Sequence, residues 1–145
     1  MRTGAVITKI SLVFILPLLI QSISAPAMAK PKKDGEWRVS PRKAKIKNPI
    51  TADQASVEQG KVLFQRECEN CHGKSGKGDG PEAGDLDKKV KDFSSPGMWE
   101  QSDGAIYYKI KMGRRPMPSF KKMLSKEEIW HVTNYIRKTF DSAAK

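Results

Sequence analysis

The sequence predicts an all-α domain. Capping residues followed by apolar side chains at helical spacing occur in three segments, which begin near Thr51, Ser102 and Leu124. The chain has 145 residues, which is enough for one small domain. A domain of that size buries only a modest core, so we expect something besides the side chains to fill its centre.

The first 29 residues have the organisation of a secretory signal peptide. Arg2 and Lys9 give a basic start, residues 10–20 are apolar, and Ala27-Met28-Ala29 forms an A-x-A cleavage site. We therefore expect export and a mature chain that begins at Lys30. The alternative is an uncleaved membrane anchor, but the apolar run contains a proline and is shorter than the ~20 residues that a span needs.

Residues 30–50 form a basic extension that is punctuated by prolines and nearly free of aliphatic side chains. A segment of this composition is expected to be solvated, because it has no core of its own. The alternative is that Trp37, Val39 and Ile46 pin the extension to the domain and place its positive charge beside a partner.

The predicted domain, residues 51–141, opens with a helix. Thr51–Gln54 has the pattern of a capping box, and Ile50 precedes it. Four of the residues that follow share one helical face: Val57, Gly60, Phe64 and Cys68. This helix should therefore run directly into the cysteine motif.

That motif, Cys68-Glu69-Asn70-Cys71-His72, contains both cysteines of the sequence. Cys-x-x-Cys-His is the attachment signature of c-type haem. Two thiols one helical turn apart can add to the two vinyl groups along one porphyrin edge, and the next imidazole then reaches the iron. We therefore expect one covalent haem c, attached through Cys68 and Cys71 with His72 as iron ligand.

Two other chemistries use closely spaced cysteines. A redox-active Cys-x-x-Cys pair follows a strand in a thioredoxin-like pattern, and no strand-rich segment precedes Cys68. A structural zinc site needs four ligands, and the sequence has no second cysteine pair. The loop that follows, Gly73–Pro81, is rich in glycine but lacks the order of a phosphate-binding loop, so we expect it to turn around a haem edge.

The next segment, residues 86–99, is predicted to be mostly irregular, with Phe93 and Trp99 packing in the core or against the haem. Ser102 and Asp103 should then cap a short helix that ends at Gly113.

Met117 lies between two prolines in the segment Arg114–Phe120. The prolines forbid regular helix, so we expect a stiff extended loop that presents the thioether as the sixth iron ligand. A thioether opposite an imidazole favours ferrous iron and raises the reduction potential. Core packing is expected for three other methionines: Met98, Met112 and Met123.

The last predicted helix starts with a capping box and a hydrophobic staple at Leu124–Ile129. Its apolar face contains Ile129, Val132, Ile136 and Phe140. His131 lies off that face, so we expect a surface or partly packed histidine.

Together these segments resemble class I c-type cytochromes, the small monohaem proteins that carry single electrons. The resemblance covers about residues 51–140 and implies a small cytochrome c fold packed around one covalent haem. It implies that Gly60 and Phe64 meet Tyr135 where the first and last helices cross. It also implies that the Pro81 carbonyl accepts the ring N–H of His72, which would orient the imidazole.

The resemblance implies a periplasmic electron carrier and not an enzyme, because His72 and Met117 would fill both axial positions of the iron. Two alternatives stay open. The domain could be the haem c subunit of a larger oxidoreductase, or an open-site haem enzyme or gas sensor if Met117 is not a ligand.

Charge indicates the kind of partner. Removing Arg2 and Lys9 from the formal charge of +11 leaves +9 on the mature chain. Export argues against nucleic acid, so we expect redox proteins with an acidic docking surface. Four cations should lie near the haem crevice: Lys74, Lys77, Arg114 and Arg115. We expect no stable membrane insertion after signal cleavage.

Overall fold

The structure is a computed structural model that describes residues 37–140. In this range it contains six α-helices: α1 (Pro41–Ala44), α2 (Gln54–Glu67), α3 (Glu69–His72), α4 (Pro96–Trp99), α5 (Asp103–Met112) and α6 (Lys126–Phe140). A 3₁₀ helix, Ala83–Asp85, lies between α3 and α4.

No sheet forms between residues 37 and 140, so the predicted all-α fold is confirmed. Within the same range no helix is long and apolar enough to cross a membrane. Three predicted features lie outside the described residues: the signal peptide at 1–29, residues 30–36 of the basic extension and residue 141.

The first long helix, α2, begins later than the sequence predicts. Its N-cap is Asp53, whose Oδ1 accepts a hydrogen bond of 2.8 Å from the backbone N–H of Ser56. The capping box predicted from Thr51 is therefore wrong. The Asn134 side-chain amide of α6 instead donates to the backbone carbonyls of Ile50 and Thr51, at 3.4 Å each, which holds these residues outside the helix.

Helices α2 and α6 cross at Gly60. A Cβ atom at this position would overlap the backbone carbonyl oxygen of His131 and lie 2.8 Å from Cβ of Tyr135. Phe64, one turn later, is fully buried, and its ring centroid lies 5.2 Å from that of Tyr135. The predicted meeting of these residues at the helix crossing is confirmed, and the missing side chain of Gly60 is what permits it.

The prediction for His131 is wrong. Its side chain is only 7% exposed, and its Nδ1 lies 2.8 Å from the Oγ of Ser56. The same Oγ accepts a hydrogen bond of 2.8 Å from the Asn134 side chain. The close approach at Gly60 brings the first turn of α2 over α6, so polar residues off the apolar stripe of α6 are buried as a hydrogen-bonded group.

The predicted ends of α5 and α6 agree with the structure. Ser102 caps α5 by accepting from the backbone N–H of Ala105 at 3.3 Å, and Gly113 ends the helix with φ of 61°. At the start of α6, Ser125 Oγ accepts from the N–H of Glu128, and a Glu128 carboxylate oxygen accepts from the N–H of Ser125. This reciprocal pair is a capping box.

Residues 37–50, called the strap below, lie along the outside of α5 and reach α6. Trp37 and Val39 are half-buried, whereas Ile46 is 39% exposed. These residues are largely exposed, as expected of a solvated extension, but the strap also packs on the domain through α1. Of the three predicted anchors, Ile46 does not serve as one.

Candidate haem site

The cysteine motif continues α2 by one helical turn. The N–H of Cys68 donates to the carbonyl of Phe64 at 2.8 Å, and the N–H of His72 donates to that of Cys68 at 2.9 Å. Cys71 and His72 thus lie in the single turn of α3, and Cys68 is its N-cap. The two thiols and the imidazole therefore come from neighbouring positions of one helical turn, and their joint use by one haem stays a prediction.

Both thiols lie in surroundings that favour the protonated form. Burial raises the pKa of Cys68 to about 12, with smaller contributions from the charges of Glu67 and Cys71. Burial also raises the pKa of Cys71, and Glu82 adds to this through its charge and a hydrogen bond of 3.7 Å from the Sγ. Redox-active dithiols have lowered pKa values, so the site does not resemble a disulfide oxidoreductase.

His72 presents a neutral imidazole. Burial lowers its pKa, and a hydrogen bond to the backbone of Lys91 partly opposes that effect. The ring stacks on Phe93 at a centroid distance of 4.5 Å and an interplanar angle of 18°. Its Nδ1 is buried and has no hydrogen-bond partner among the described residues. A neutral ring with a buried, unpaired nitrogen is suited to bind a metal.

The predicted contact between His72 and Pro81 is not observed. Pro81 is exposed, and the backbone that bonds the ring belongs to Lys91. The N–H of Phe93 donates to the carbonyl of Gly76 at 2.7 Å, which draws residues 91–93 over the imidazole. That bond explains why the Lys91 backbone, and not Pro81, reaches the ring.

The glycine loop, residues 73–80, folds back on the motif itself. The N–H of Gly78 donates to the carbonyl of His72 at 2.8 Å, and the N–H of Gly80 donates to that of Cys71 at 3.3 Å. A Cβ on Gly80 would lie within 2.6 Å of the backbone carbonyl oxygens of both Glu69 and Asn70. The glycines allow a close backbone approach, and the partner in that approach is the α3 backbone; the expected turn around a haem edge stays a prediction.

Met117 lies at the end of a tight turn and not in the extended loop that the prolines predict. Its N–H and carbonyl exchange two hydrogen bonds of 3.0 Å with Arg114. Its side chain is half-buried and packs against the hydrophobic core that includes Cys68 and Phe93. The two prolines exclude helix, and the reciprocal bonds close the chain into the turn.

The Met117 turn is fixed to the end of α5. Ser119 Oγ donates to the carbonyl of Lys111 at 2.9 Å, and the N–H of Lys121 donates to the same carbonyl at 3.1 Å. Gly113 has a positive φ, and a Cβ there would overlap the carbonyl oxygen of Pro118. The sequence predicts only that Gly113 ends α5. Its second role is to leave room for the Pro118 carbonyl, and this depends on where the chain runs after the Met117 turn.

The other methionines between residues 37 and 140 separate into two groups. Met98 is buried, as predicted. Met112 and Met123 are 38% and 57% exposed, so their assignment to the core is wrong. Met112 occupies the last position of α5, and Met123 lies in the turn before α6.

The residues present fit a covalent haem c. Two thiols, a neutral imidazole with an unpaired nitrogen and a thioether beside the same core are the donors that such a group uses. A second buried polar atom, Nε1 of Trp99, also has no partner among residues 37–140. A haem carboxylate is the kind of acceptor that this N–H lacks, and the sequence alone gave Trp99 no polar role.

Comparison with known proteins agrees with this site. Residues 55–136 match the sequence model of the family described as cytochrome C oxidase, cbb3-type, subunit III. No curated protein matches the chain.

Among solved structures, a chain of the Kuenenia stuttgartiensis reducing HAO-like protein complex Kustc0457/Kustc0458 is similar, with 30% sequence identity and a TM-score of 0.58. The match covers 64% of this chain and 47% of that one, so this chain spans about half the length of its relative. The thiols, imidazole and thioether described above fit a haem c, and residues 55–136 match the family model. The chain therefore belongs to the cbb3-type subunit III family and is a cytochrome c domain with a covalent haem c.

Proposed function

We propose that this chain is a periplasmic electron carrier whose haem c is ligated by His72 and Met117. The observation that carries the proposal is the construction of the Met117 turn. Reciprocal hydrogen bonds close the turn, Gly113 and Ser119 fix it to α5, and the thioether faces the core that contains Cys68.

Each residue of the site has a separate task. Cys68 and Cys71 attach the group covalently, and His72 supplies a neutral nitrogen donor. Met117 supplies a soft donor that favours the ferrous state. When bound, the haem would supply one-electron exchange between Fe(III) and Fe(II). If His72 and Met117 both hold the iron, no position would remain for a substrate, so the chain would act as a carrier and not as a catalyst.

Export is part of the proposal and rests on the signal sequence at residues 1–29. In the periplasm the partners would be redox proteins. Positive charge on this chain would steer it toward acidic surfaces and raise the encounter rate at low salt.

A second function has a specific observation in its favour. The matching family is named for an oxidase subunit, and the similar solved chain belongs to a complex. The same domain would then be a fixed haem subunit that relays electrons within a larger oxidoreductase. Size-exclusion chromatography of the protein from its source cell separates the two: a carrier elutes as the isolated chain, and a subunit elutes with its partners.

Substitution of Met117 tests the ligation. Met117→Ala should open the sixth position, so that CO binds the ferrous protein and the weak sulfur-to-iron band of the ferric protein disappears. Met117→His should keep six ligands and lower the reduction potential, because imidazole stabilises ferric iron better than thioether does. We expect a decrease on the order of 0.1–0.3 V, within the range of about 0.8 V that axial ligands span.

Met112→Ala and Met123→Ala are the matched controls, since both side chains are exposed and flank the same turn. Neither should change the ferric spectrum. If one of them removes the sulfur-to-iron band and Met117→Ala does not, the proposed sixth ligand is wrong.

A further inference from the structure

Two segments of the described chain contain many cations and no acidic residue: the strap, with five, and residues 104–126 around the Met117 turn, with seven. Residues 37–50 contain five cationic residues and no acidic one: Arg38, Arg42, Lys43, Lys45 and Lys47. Residues 51–140 contain 16 Lys and Arg against 13 Asp and Glu, a net charge of only +3. Fourteen residues therefore carry more net charge than the whole domain that follows them.

The lysines near the haem motif are compensated locally. Residues 69–92 contain five lysines against six acidic residues. One example is Asp92, whose pKa is lowered mainly by hydrogen bonds from Ser94 and further by the charges of Lys77 and Lys91. Residues 69–92 are therefore mixed in sign, and the excess positive charge of the described chain lies on the strap and on the segment around the Met117 turn.

The strap is held in place by contacts from its inner side. Ser102 Oγ donates to the carbonyl of Ala44 at 2.6 Å, and the Asn48 amide donates to the side-chain oxygen of Asn134 at 2.7 Å. Gly104 has no side chain, which lets the strap backbone approach α5: a Cβ there would lie 2.5 Å from the carbonyl oxygen of Ile46. These contacts fix the backbone between Pro41 and Asn48.

The cationic side chains are left on the outer side. Arg42, Lys43, Lys45 and Lys47 are exposed, and none pairs with a carboxylate between residues 37 and 140. The Lys43 ammonium lies 5.8 Å from the ring centroid of Tyr108, which is an attraction to an aromatic face and not an ion pair. Like charges held this close repel each other at low salt, and an acidic surface would relieve that repulsion.

The C-terminal end of the strap is far from the haem motif. Asn48 bonds Asn134, which in turn bonds Ser56 in the first turn of α2, whereas Cys68 follows the last turn. A helix of 14 residues is about 20 Å long. A partner on this end of the strap would therefore leave the motif outside the contact.

We propose that the strap is a second docking surface, which holds the chain on an acidic face of a partner protein while electron exchange takes place elsewhere. The proposal rests on the proposed function in electron transfer and adds the attachment site and the chemistry of its partner. A protein fits better than a membrane, because membrane-surface segments insert an apolar face and the strap exposes only Ile46 as a large apolar side chain.

Carbodiimide cross-linking tests the proposal, since it joins lysines directly to contacting carboxylates and not to lipid. The mature holoprotein is treated with carbodiimide in the periplasmic and membrane fractions of its source cell at low salt. Cross-linked peptides are then identified by mass spectrometry. We expect products that join Lys43, Lys45 or Lys47 to Asp or Glu of one partner protein.

Two quadruple variants with equal loss of charge provide the comparison. One replaces Arg42, Lys43, Lys45 and Lys47 by Gln, and the other replaces Lys88, Lys89, Lys121 and Lys122, which are exposed and outside the strap. The strap variant has no lysine at positions 43, 45 and 47, so it cannot form cross-links there. The yield is therefore measured as the total cross-linking of the partner to any lysine of this chain. It should fall at least about fivefold in the strap variant and less than about twofold in the control.

Equal yields in both variants would overturn the proposal, and so would products confined to lysines outside the strap or no cross-linked protein at all. Binding of the wild type but not the strap variant to phosphatidylglycerol vesicles, without a protein product, would assign the surface to lipid instead. Reduction by ascorbate is measured on each sample. A wild-type haem that cannot be reduced would refute the proposed function itself, independently of the cross-links.

Discussion

Residue 60 sets the distance between the two long helices. A Cβ there would overlap the His131 carbonyl oxygen, which belongs to a backbone and cannot rotate away. Gly60→Ala should therefore destabilise the fold by about 2 kcal/mol, although alanine is the better helix former by about 1 kcal/mol. Chemical denaturation of the holoprotein measures the change.

Gly97→Ala is the matched control for Gly60→Ala. Gly97 lies in α4, has no positive φ, and a Cβ there would have no atom within 4 Å. We expect its free energy of unfolding to change by less than about 1 kcal/mol. Equal stabilities for the two variants would contradict the described packing of α2 against α6.

At the scale of the element, the start of α6 depends on the reciprocal bonds of Ser125 and Glu128. The hydrogen bonds from Ser125 lower the pKa of the Glu128 carboxyl below its usual value of 4.5. Its folded-state pKa is thus below the unfolded one, so the contribution to stability is present above pH 4.5 and is lost as the pH falls through the folded value.

Glu128→Ala should lower the free energy of unfolding by about 0.5–1 kcal/mol near neutral pH, because it removes the acceptor of the Ser125 N–H. The difference from the wild type should shrink as the pH decreases below 4.5, because the protonated wild-type carboxyl is a weaker acceptor. Unfolding midpoints measured between pH 7 and pH 3 check both expectations. A difference that stays constant over this range would mean that Glu128 does not take part in the cap.

Across the whole molecule, a structural feature could be predicted from the sequence when the residues that determine it lie close together in the chain. The haem motif, the cap of α5 and the capping box of α6 each follow from residues within one or two turns, and all three agree with the structure. The burial of His131, the start of α2 at Asp53 and the turn at Met117 depend on contacts between distant segments.

The strap illustrates the same limit. Its composition predicts a solvated segment, and nothing in residues 37–50 alone indicates the partners Ser102, Gly104 and Asn134. Those partners become available only after α5 and α6 are assembled. Only the folded chain shows that the inner side of the strap is packed on the domain. Only the folded chain shows that the outer side exposes Arg42, Lys43, Lys45 and Lys47.

The proposed function requires that the chain carry one electron on a haem whose iron is held by both His72 and Met117. A redox titration of the wild-type holoprotein, followed by its absorption spectrum and repeated under CO, tests this claim most directly. We predict a single one-electron transition and a ferrous spectrum that CO does not change. Binding of CO to the wild-type ferrous protein, with a shift of the transition to higher potential, would contradict it, because the iron would then have an open position.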